Sequence, residues 1–212
     1  FNQQLNEIND LYSKYRISEA LMASYKLVWD DFCAWYLEMI KPEFVDGKAK
    51  PIDKITYDVT ITFFEKLLKV LHPFMPFITE EIWHLLKERK EKEGIIVSQW
   101  PQEEGVDRST LSMFGTVSAT VTEVRNIRKS KNIPLKEKLS LYLSSKQEDR
   151  SNLFDDIIKK LCNLDKFSLT ENKIENATTF MVGQFEYYVP FSSAINIDEE
   201  RERIMKDIEY NK

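Results

Sequence analysis

The sequence contains few of the residues from which compact catalytic and metal sites are built. It has five glycines, two cysteines and two histidines among 212 residues, and it contains no glycine-rich phosphate loop and no serine in a tight glycine-flanked turn. Cys33 and Cys162 lie far apart in apolar helical patterns, which favours buried free thiols over a disulfide or a metal site. His84 follows Glu80 at helical spacing, and without a third ligand this spacing indicates a surface ion pair. We therefore assign no catalytic residue, no metal and no cofactor to this chain.

Long apolar runs are also missing. No run could span a membrane, and no charged leader precedes an apolar stretch, so we expect a cytoplasmic protein without membrane contact. The formal net charge of −5 provides no overall attraction to a polyanion. DNA is therefore not expected as a partner, and any RNA site must be local. The composition is 42% hydrophobic and 12% aromatic, which is typical of one or two compact, helix-rich domains.

Apolar residues recur at helical spacing through most of the first 132 positions. Pro42, Pro73 and Pro134 end successive patterns, and Asp107 or Ser109 can cap the helix that follows an irregular segment. A single tryptophan, Trp100, is expected to pin this irregular segment to the helices. The patterns also run into both ends of the sequence, so we interpret the chain as a fragment. The helical stripes are predicted to be buried, and they comprise Leu5, Ile8, Leu11 and Tyr12; Ile17, Leu21, Tyr25, Val28, Phe32, Trp35 and Met39; Ile55, Val59, Phe63, Leu67 and Leu71; and Leu111, Phe114, Val117, Val121, Val124 and Ile127.

The apolar period changes from helical to alternating after Pro134. Leu139, Leu141 and Leu143 alternate with polar residues, which predicts a strand. A short helix, a second strand and a hairpin turning at Gly183-Gln184 are predicted to follow. The overall prediction is a mainly α protein with an antiparallel helical bundle over 1–132, a small α/β subdomain over 133–197, and the start of a coiled-coil arm over 198–212.

The strongest local charge feature is a basic cluster at the end of the fifth predicted helix. Arg125, Arg128, Lys129 and Lys131 lie there without an acid between them. Basic residues in a last turn complement the helix dipole, and guanidinium groups can also hold phosphates. Arg125 lies too far from the helix end to be explained by the dipole. We weigh dipole complementarity and RNA contact equally.

A second candidate RNA site lies in the helix that Pro42 ends. Trp35 and Tyr36 could stack on bases, but an aromatic on a buried stripe is more often part of a core. We therefore keep Glu38 and Lys41 as the residues that could contact base edges or phosphate. His72, Phe74, Phe77 and Trp83 are interpreted as packing residues.

Five segments resemble, in the same order, the region after the catalytic core of the valyl-tRNA synthetases. They are DDFCAWYLEMIKP, LHPFMPFITEEIW, SQWP, VRNIRKSKNIP and YYVPFSSAINIDEERERIMKDI. A turn similar to LHPFMPF followed by TEEIW also occurs in leucine and isoleucine enzymes, whereas DFCxWYLE and RNIRxxxNIP point to valine. The resemblance covers nearly the whole chain.

The resemblance implies a class I anticodon-binding bundle, tRNA for valine as the partner, and valine ligation with ATP by the full-length enzyme. It implies that this fragment alone lacks the ATP signatures and is inactive, and we expect a monomer. Within this interpretation Glu38, Lys41, Arg125, Arg128, Lys129 and Lys131 would contact tRNA. The alternatives are the equivalent region of a leucyl- or isoleucyl-tRNA synthetase and a helical protein-interaction module.

Overall fold

The computed structural model describes residues 1–42, 44–45, 47–90, 92–144 and 151–190. The protein is mainly α-helical with a small mixed sheet. Its contacts divide it into two compact units, Phe1–Val106 and Asp107–Lys212, which are described separately below. No helix in the described part of the chain is both long enough and apolar enough to cross a membrane.

Unit 1 is built from helices joined by short connections. Asp53 begins one of them by accepting a hydrogen bond from the Thr56 backbone N–H, and Pro76 begins another, where its missing N–H is not needed. Phe44–Val45 and Lys48–Ala49 pair as a two-stranded antiparallel β-ribbon between two of the helices. The elements are α1 (Asn2–Ser13), α2 (Ile17–Lys26), a π-helix (Leu27–Tyr36), α3 (Leu37–Ile40), β1 (Phe44–Val45), β2 (Lys48–Ala49), α4 (Lys54–Leu71), α5 (Pro76–Leu86) and a 3₁₀ turn (Ile95–Val97).

The helix predicted to run from Ile17 to Pro42 is present, but its middle is wound as a π-helix. Ten residues from Leu27 to Tyr36 adopt this form, with α-helix on both sides. Runs of this kind are rare and usually short. The wider winding changes which side chains face the core, because residues four apart no longer align as they do in an α-helix.

The core of unit 1 forms where α1, α2, the π-helix and α4 meet. Phe32 lies at its centre and stacks on Phe64, with ring centroids 5.6 Å apart. The predicted role of Trp100 is confirmed, because its Nε1 donates to Asn9 Oδ1 at 3.0 Å and its ring packs edge-on against Tyr12. The main buried cluster comprises Leu5, Ile8, Leu11, Ala20, Ala23, Leu27, Phe32, Leu67 and Val70.

Two stripes that we predicted to be buried, Ile17 to Met39 and Ile55 to Leu71, are only half buried. This part of the prediction was wrong. The second half of the α4 stripe reaches the core at Leu67, but its first half does not. Phe77, which we interpreted as a packing residue, is 89% exposed on the first turn of α5. Periodicity identifies an apolar helix face but not whether another element of the same unit covers it. The exposed residues of these two stripes are Ile17, Leu21, Tyr25, Ile55 and Val59, and Leu111 at the start of the last predicted stripe is exposed as well.

Unit 2 packs helices against one face of a four-stranded sheet. The strands are β3 (Leu139–Ser144), β4 (Leu164–Thr170), β5 (Ala177–Val182) and β6 (Phe185–Pro190). Their order in the sheet is β4-β3-β6-β5, with β3 and β4 parallel and the other pairs antiparallel. Leu139, Leu141 and Leu143 are buried, as the alternation predicted. Gly183 turns the hairpin with a φ of 57°. The helices of unit 2 are α6 (Arg108–Ser130) and α7 (Asp155–Leu161).

The division between the units lies earlier than the change of apolar period. We predicted a boundary between residues 132 and 133, where helix gives way to strand, and β3 does begin shortly after that point. Helix α6, however, packs against α7 and β5, so the second compact unit begins at Asp107. The predicted arm over 198–212 lies outside the described residues.

Candidate nucleic-acid interface

The predicted basic cluster lies on α6, where its members point in different directions. Asp107 fixes the start of this helix by accepting from the backbone N–H groups of Ser109 and Thr110 at 3.0 and 3.1 Å. Arg125 and Lys129 are exposed and four residues apart, so they share one outer face of the helix. Two cations at this spacing form a local positive patch that can contact phosphate.

Arg128 lies on the adjoining face of α6, which packs into the interior of unit 2. Its side chain is 4% exposed, and its guanidinium donates to three backbone carbonyls. The acceptors are Pro134 O at 3.0 Å, Cys162 O at 2.9 Å and Asn163 O at 3.2 Å. Burial lowers the pKa of this guanidinium from its ordinary value. Our assignment of Arg128 as a phosphate contact is therefore corrected, because the group is not accessible to a phosphate.

Lys131 lies at the end of α6, where the chain leaves the helix. The backbone N–H of Lys131 donates to Ile127 O at 2.9 Å and that of Ile133 donates to Arg128 O at 2.9 Å. Asn132 lies between them with a φ of 53°, a conformation that asparagine tolerates better than most residues. Lys131 is half-buried, so it is less accessible than Arg125 and Lys129.

The second candidate site lies in unit 1, at the end of the long helix. Glu38 Oε1 lies 3.1 Å from Lys41 Nζ, and both side chains are about half exposed. Exposed ion pairs of this kind contribute little to stability, so a bound ligand can replace one partner of the pair with little loss of free energy. Lys41 also ends the helix, since its ψ of 129° is extended and Pro42 follows. The pair therefore presents a carboxylate and an ammonium at an accessible helix end.

The predicted packing of the aromatic residues beside this pair holds in part. The Tyr36 hydroxyl lies 2.9 Å from Thr60 Oγ1, and its ring stacks on Phe32. Trp35 is half-buried. Two other aromatic residues, Tyr25 and Trp29, stack on each other at the surface. Our stripe placed Tyr25 in the core, and this was wrong, because Tyr25 is exposed on α2. Trp29, which lies off that stripe, is exposed as well.

The Glu80–His84 ion pair predicted from helical spacing is present on α5. His84 Nε2 lies 3.0 Å from Glu80 Oε1, and the same carboxylate accepts from the Ile95 backbone N–H. Glu80 thus connects α5 to the 3₁₀ turn. Within the described ranges, no group of three metal-ligating side chains is present.

Both candidate sites combine exposed charge with a helical scaffold, as in a domain that contacts RNA. The family model for the anticodon-binding domain of tRNA ligases matches residues 1–143, more than half of the chain. The chain therefore belongs to the anticodon-binding domain family of the tRNA ligases.

Curated relatives narrow the comparison to one kind of tRNA ligase. A valine–tRNA ligase of Parabacteroides distasonis is 45% identical over all of this chain, and one of Christiangramia forsetii is 40% identical over 99% of it. A valine–tRNA ligase of Listeria innocua is 31% identical over 98%. These matches cover 24%, 23% and 24% of the relatives, so the chain spans about a quarter of their length.

Proposed function

We propose that this chain binds the anticodon stem and loop of tRNA for valine, as the anticodon-binding part of a valine–tRNA ligase. The observation that carries the proposal is the family match over residues 1–143, supported by relatives named valine–tRNA ligase that align with the whole chain. The full-length protein would join valine to tRNA with ATP. We further propose that the helices of the family domain form an antiparallel bundle of the class I synthetase type and that residues 198–212 begin a coiled-coil arm.

Phosphate contacts would come from the exposed members of the basic cluster. Arg125 and Lys129 lie on one face of α6, and Lys131 lies at the end of that helix. Contacts to phosphate set the position of an RNA without recognising its sequence. A local positive patch of this kind is needed here, because the overall charge is −5 and repels a polyanion.

Base recognition would come from Glu38 and Lys41. A carboxylate accepts hydrogen bonds and an ammonium donates them, so together they can contact the edge of an unpaired base. The Glu38–Lys41 ion pair places both groups at one helix end, 3.1 Å apart.

The salt dependence of binding tests the phosphate contacts. Replacing Arg125 and Lys129 by Ala should weaken binding of an anticodon stem-loop for every anticodon sequence and reduce the salt slope by roughly 0.7–0.9 per lost contact. The matched control replaces Arg108 and Lys173, which are also exposed in unit 2, and so removes the same charge. Equal slopes for the two double variants would show that the patch on α6 makes no specific phosphate contact.

A change of base preference tests the role of Glu38. The Glu38→Gln variant keeps an acceptor and gains a donor, so it should alter the ranking of anticodon sequences while the salt slope stays that of the parent. The Glu19→Gln control removes another exposed carboxylate that is ion-paired three residues away, to Arg16. Equal affinity shifts for all anticodons in the Glu38 variant would place base recognition elsewhere.

The choice of valine over leucine and isoleucine rests on the segments DFCAWYLE and RNIRKSKNIP. The named relatives support it, because all three are valine–tRNA ligases. Purified tRNAs for the three amino acids provide the test. Tighter binding of a leucine or isoleucine tRNA than of the valine tRNA would assign the chain to the other ligase.

A further inference from the structure

Two aromatic side chains form a stacked pair on the surface of unit 1. The rings of Tyr25 and Trp29 have centroids 6.2 Å apart and an angle of 12° between their planes. Tyr25 is 49% exposed and Trp29 is 59% exposed. Such large aromatic side chains usually bury most of their surface, and when exposed they often mark a binding site.

The backbone beneath this pair is held by the core. Leu27 and Phe32 flank Trp29 along the π-helix, and both are almost fully buried. Phe32 in turn stacks on Tyr36 and Phe64 with centroid distances of 5.5 and 5.6 Å. Because the buried side chains of Leu27 and Phe32 fix the backbone on either side of Trp29, the two rings form a preformed surface. This lowers the entropic cost of binding a flat ligand.

The charges around the pair limit what kind of contact it can make. Lys26 lies between Tyr25 and Trp29 in the sequence and is exposed. Asp30 and Asp31 follow Trp29 in the sequence and are also exposed. One Lys and two Asp give residues 26–31 a formal charge of −1, which disfavours a phosphate. The flat face of a nucleobase carries no charge and stacks on aromatic rings whatever its sequence.

We propose that Tyr25 and Trp29 form a stacking platform for an unpaired nucleobase of the bound RNA. The inference rests on the proposed function, since that function supplies an RNA whose loop bases are unpaired. The platform adds affinity through ring contact, so its contribution does not depend on salt. The same helix face also carries Leu21 and Met22, both exposed. A protein segment docking on this apolar face is the competing outcome.

The test measures binding of an anticodon stem-loop, with 2-aminopurine placed at each loop position in turn, to the full 212-residue chain. Trp29→Leu keeps apolar bulk but removes the aromatic face, and it should raise the Kd roughly 5- to 150-fold. It should also abolish the fluorescence quenching at one loop position. Trp29→Phe keeps a ring and should retain most of the affinity. Tyr57→Leu, at another exposed aromatic residue, should leave the Kd unchanged.

The results separate this inference from the proposed function. If the parent binds the stem-loop and Trp29→Leu binds equally well, the platform is refuted and the proposed function stands. A parent chain that binds no stem-loop refutes both. Unchanged RNA affinity together with a concentration-dependent dimer that Trp29→Leu dissociates would overturn the platform in favour of a protein docking face.

Discussion

Replacing Arg128 by Ala should destabilise unit 2 without removing an RNA contact. The change removes three hydrogen bonds from a charged donor, each of which contributes about 1.5–3 kcal/mol in proteins. We do not expect the full sum of the three hydrogen-bond contributions to be lost. Pro134 O and Asn163 O each keep a backbone donor, from Glu137 and Leu139, and removing a buried charge recovers part of its desolvation cost. We expect the free energy of unfolding of unit 2 to fall by about 3 kcal/mol.

Separate probes can follow the two units. All four tryptophans lie within Phe1–Val106, so tryptophan fluorescence during urea unfolding reports unit 1. Cys162 is buried in unit 2, and in a Cys33→Ser background its alkylation reports the unfolding of that unit.

Two further variants serve as controls for Arg128→Ala. Arg128→Lys keeps the charge but lacks the planar set of donors, so it should lose much of the same stability. Arg125→Ala, on the exposed face of α6, should stay within about 0.5 kcal/mol of the parent. If unit 2 of Arg128→Ala unfolds at the same urea concentration as the parent, the structural role of this guanidinium is refuted.

Three other predictions follow from particular contacts. Burial raises the pKa of the Cys162 thiol to about 12, so a thiol reagent at pH 8 should leave Cys162 unmodified in the folded protein, and labelling at the rate of the unfolded chain would contradict this. Hydrogen bonds from Thr110 lower the pKa of Asp107 in the folded protein below its ordinary value of 3.8. The ionised Asp107 therefore contributes its full stabilisation above pH 3.8, and this contribution is lost as the pH falls through the lower pKa of the folded state. Asp107→Asn should therefore flatten the acid end of a thermal unfolding profile, and an unchanged profile would show that this cap does not contribute. Arg89 lies 3.8 Å from the centroid of the Trp83 ring and pairs with Glu65, so Arg89→Ala should destabilise unit 1 by about 2–3 kcal/mol, and no change in the fluorescence-monitored transition would refute this.

Features set by neighbouring residues could be predicted from the sequence. Asp107 and Pro76 begin helices, Leu139 to Leu143 form a strand, and Gly183 turns a hairpin, all where local chemistry placed them. Each depends on a cap, a fixed φ or a simple alternation, and these act within a few residues. The same is true of the Glu80–His84 pair, which requires only one turn of helix.

Features that depend on tertiary packing could not be predicted in the same way. Nothing in the segment from Leu27 to Tyr36 separates π from α winding, because the hydrogen-bond shift depends on how the helix meets its neighbours. Exposure of Phe77 likewise depends on what covers the first turn of α5.

Arg128 is a different case, because a signal was available. It continues the stripe of Val117, Val121 and Val124 at helical spacing, so its inward direction could have been predicted. The basic cluster combines a buried residue, Arg128, with Arg125 and Lys129, which lie on the exposed face of α6.

The central claim, that this chain binds the anticodon stem and loop of a valine tRNA, is tested most directly by competition. A labelled stem-loop with a valine anticodon is bound to the chain at moderate salt, and unlabelled stem-loops with valine, isoleucine, leucine and unrelated anticodons are added as competitors. We predict that the valine stem-loop competes best and that an unrelated hairpin of equal length and charge competes least, because base contacts add to a shared phosphate contribution. Equal competition by all the RNAs, or no binding of the labelled stem-loop, would contradict the account.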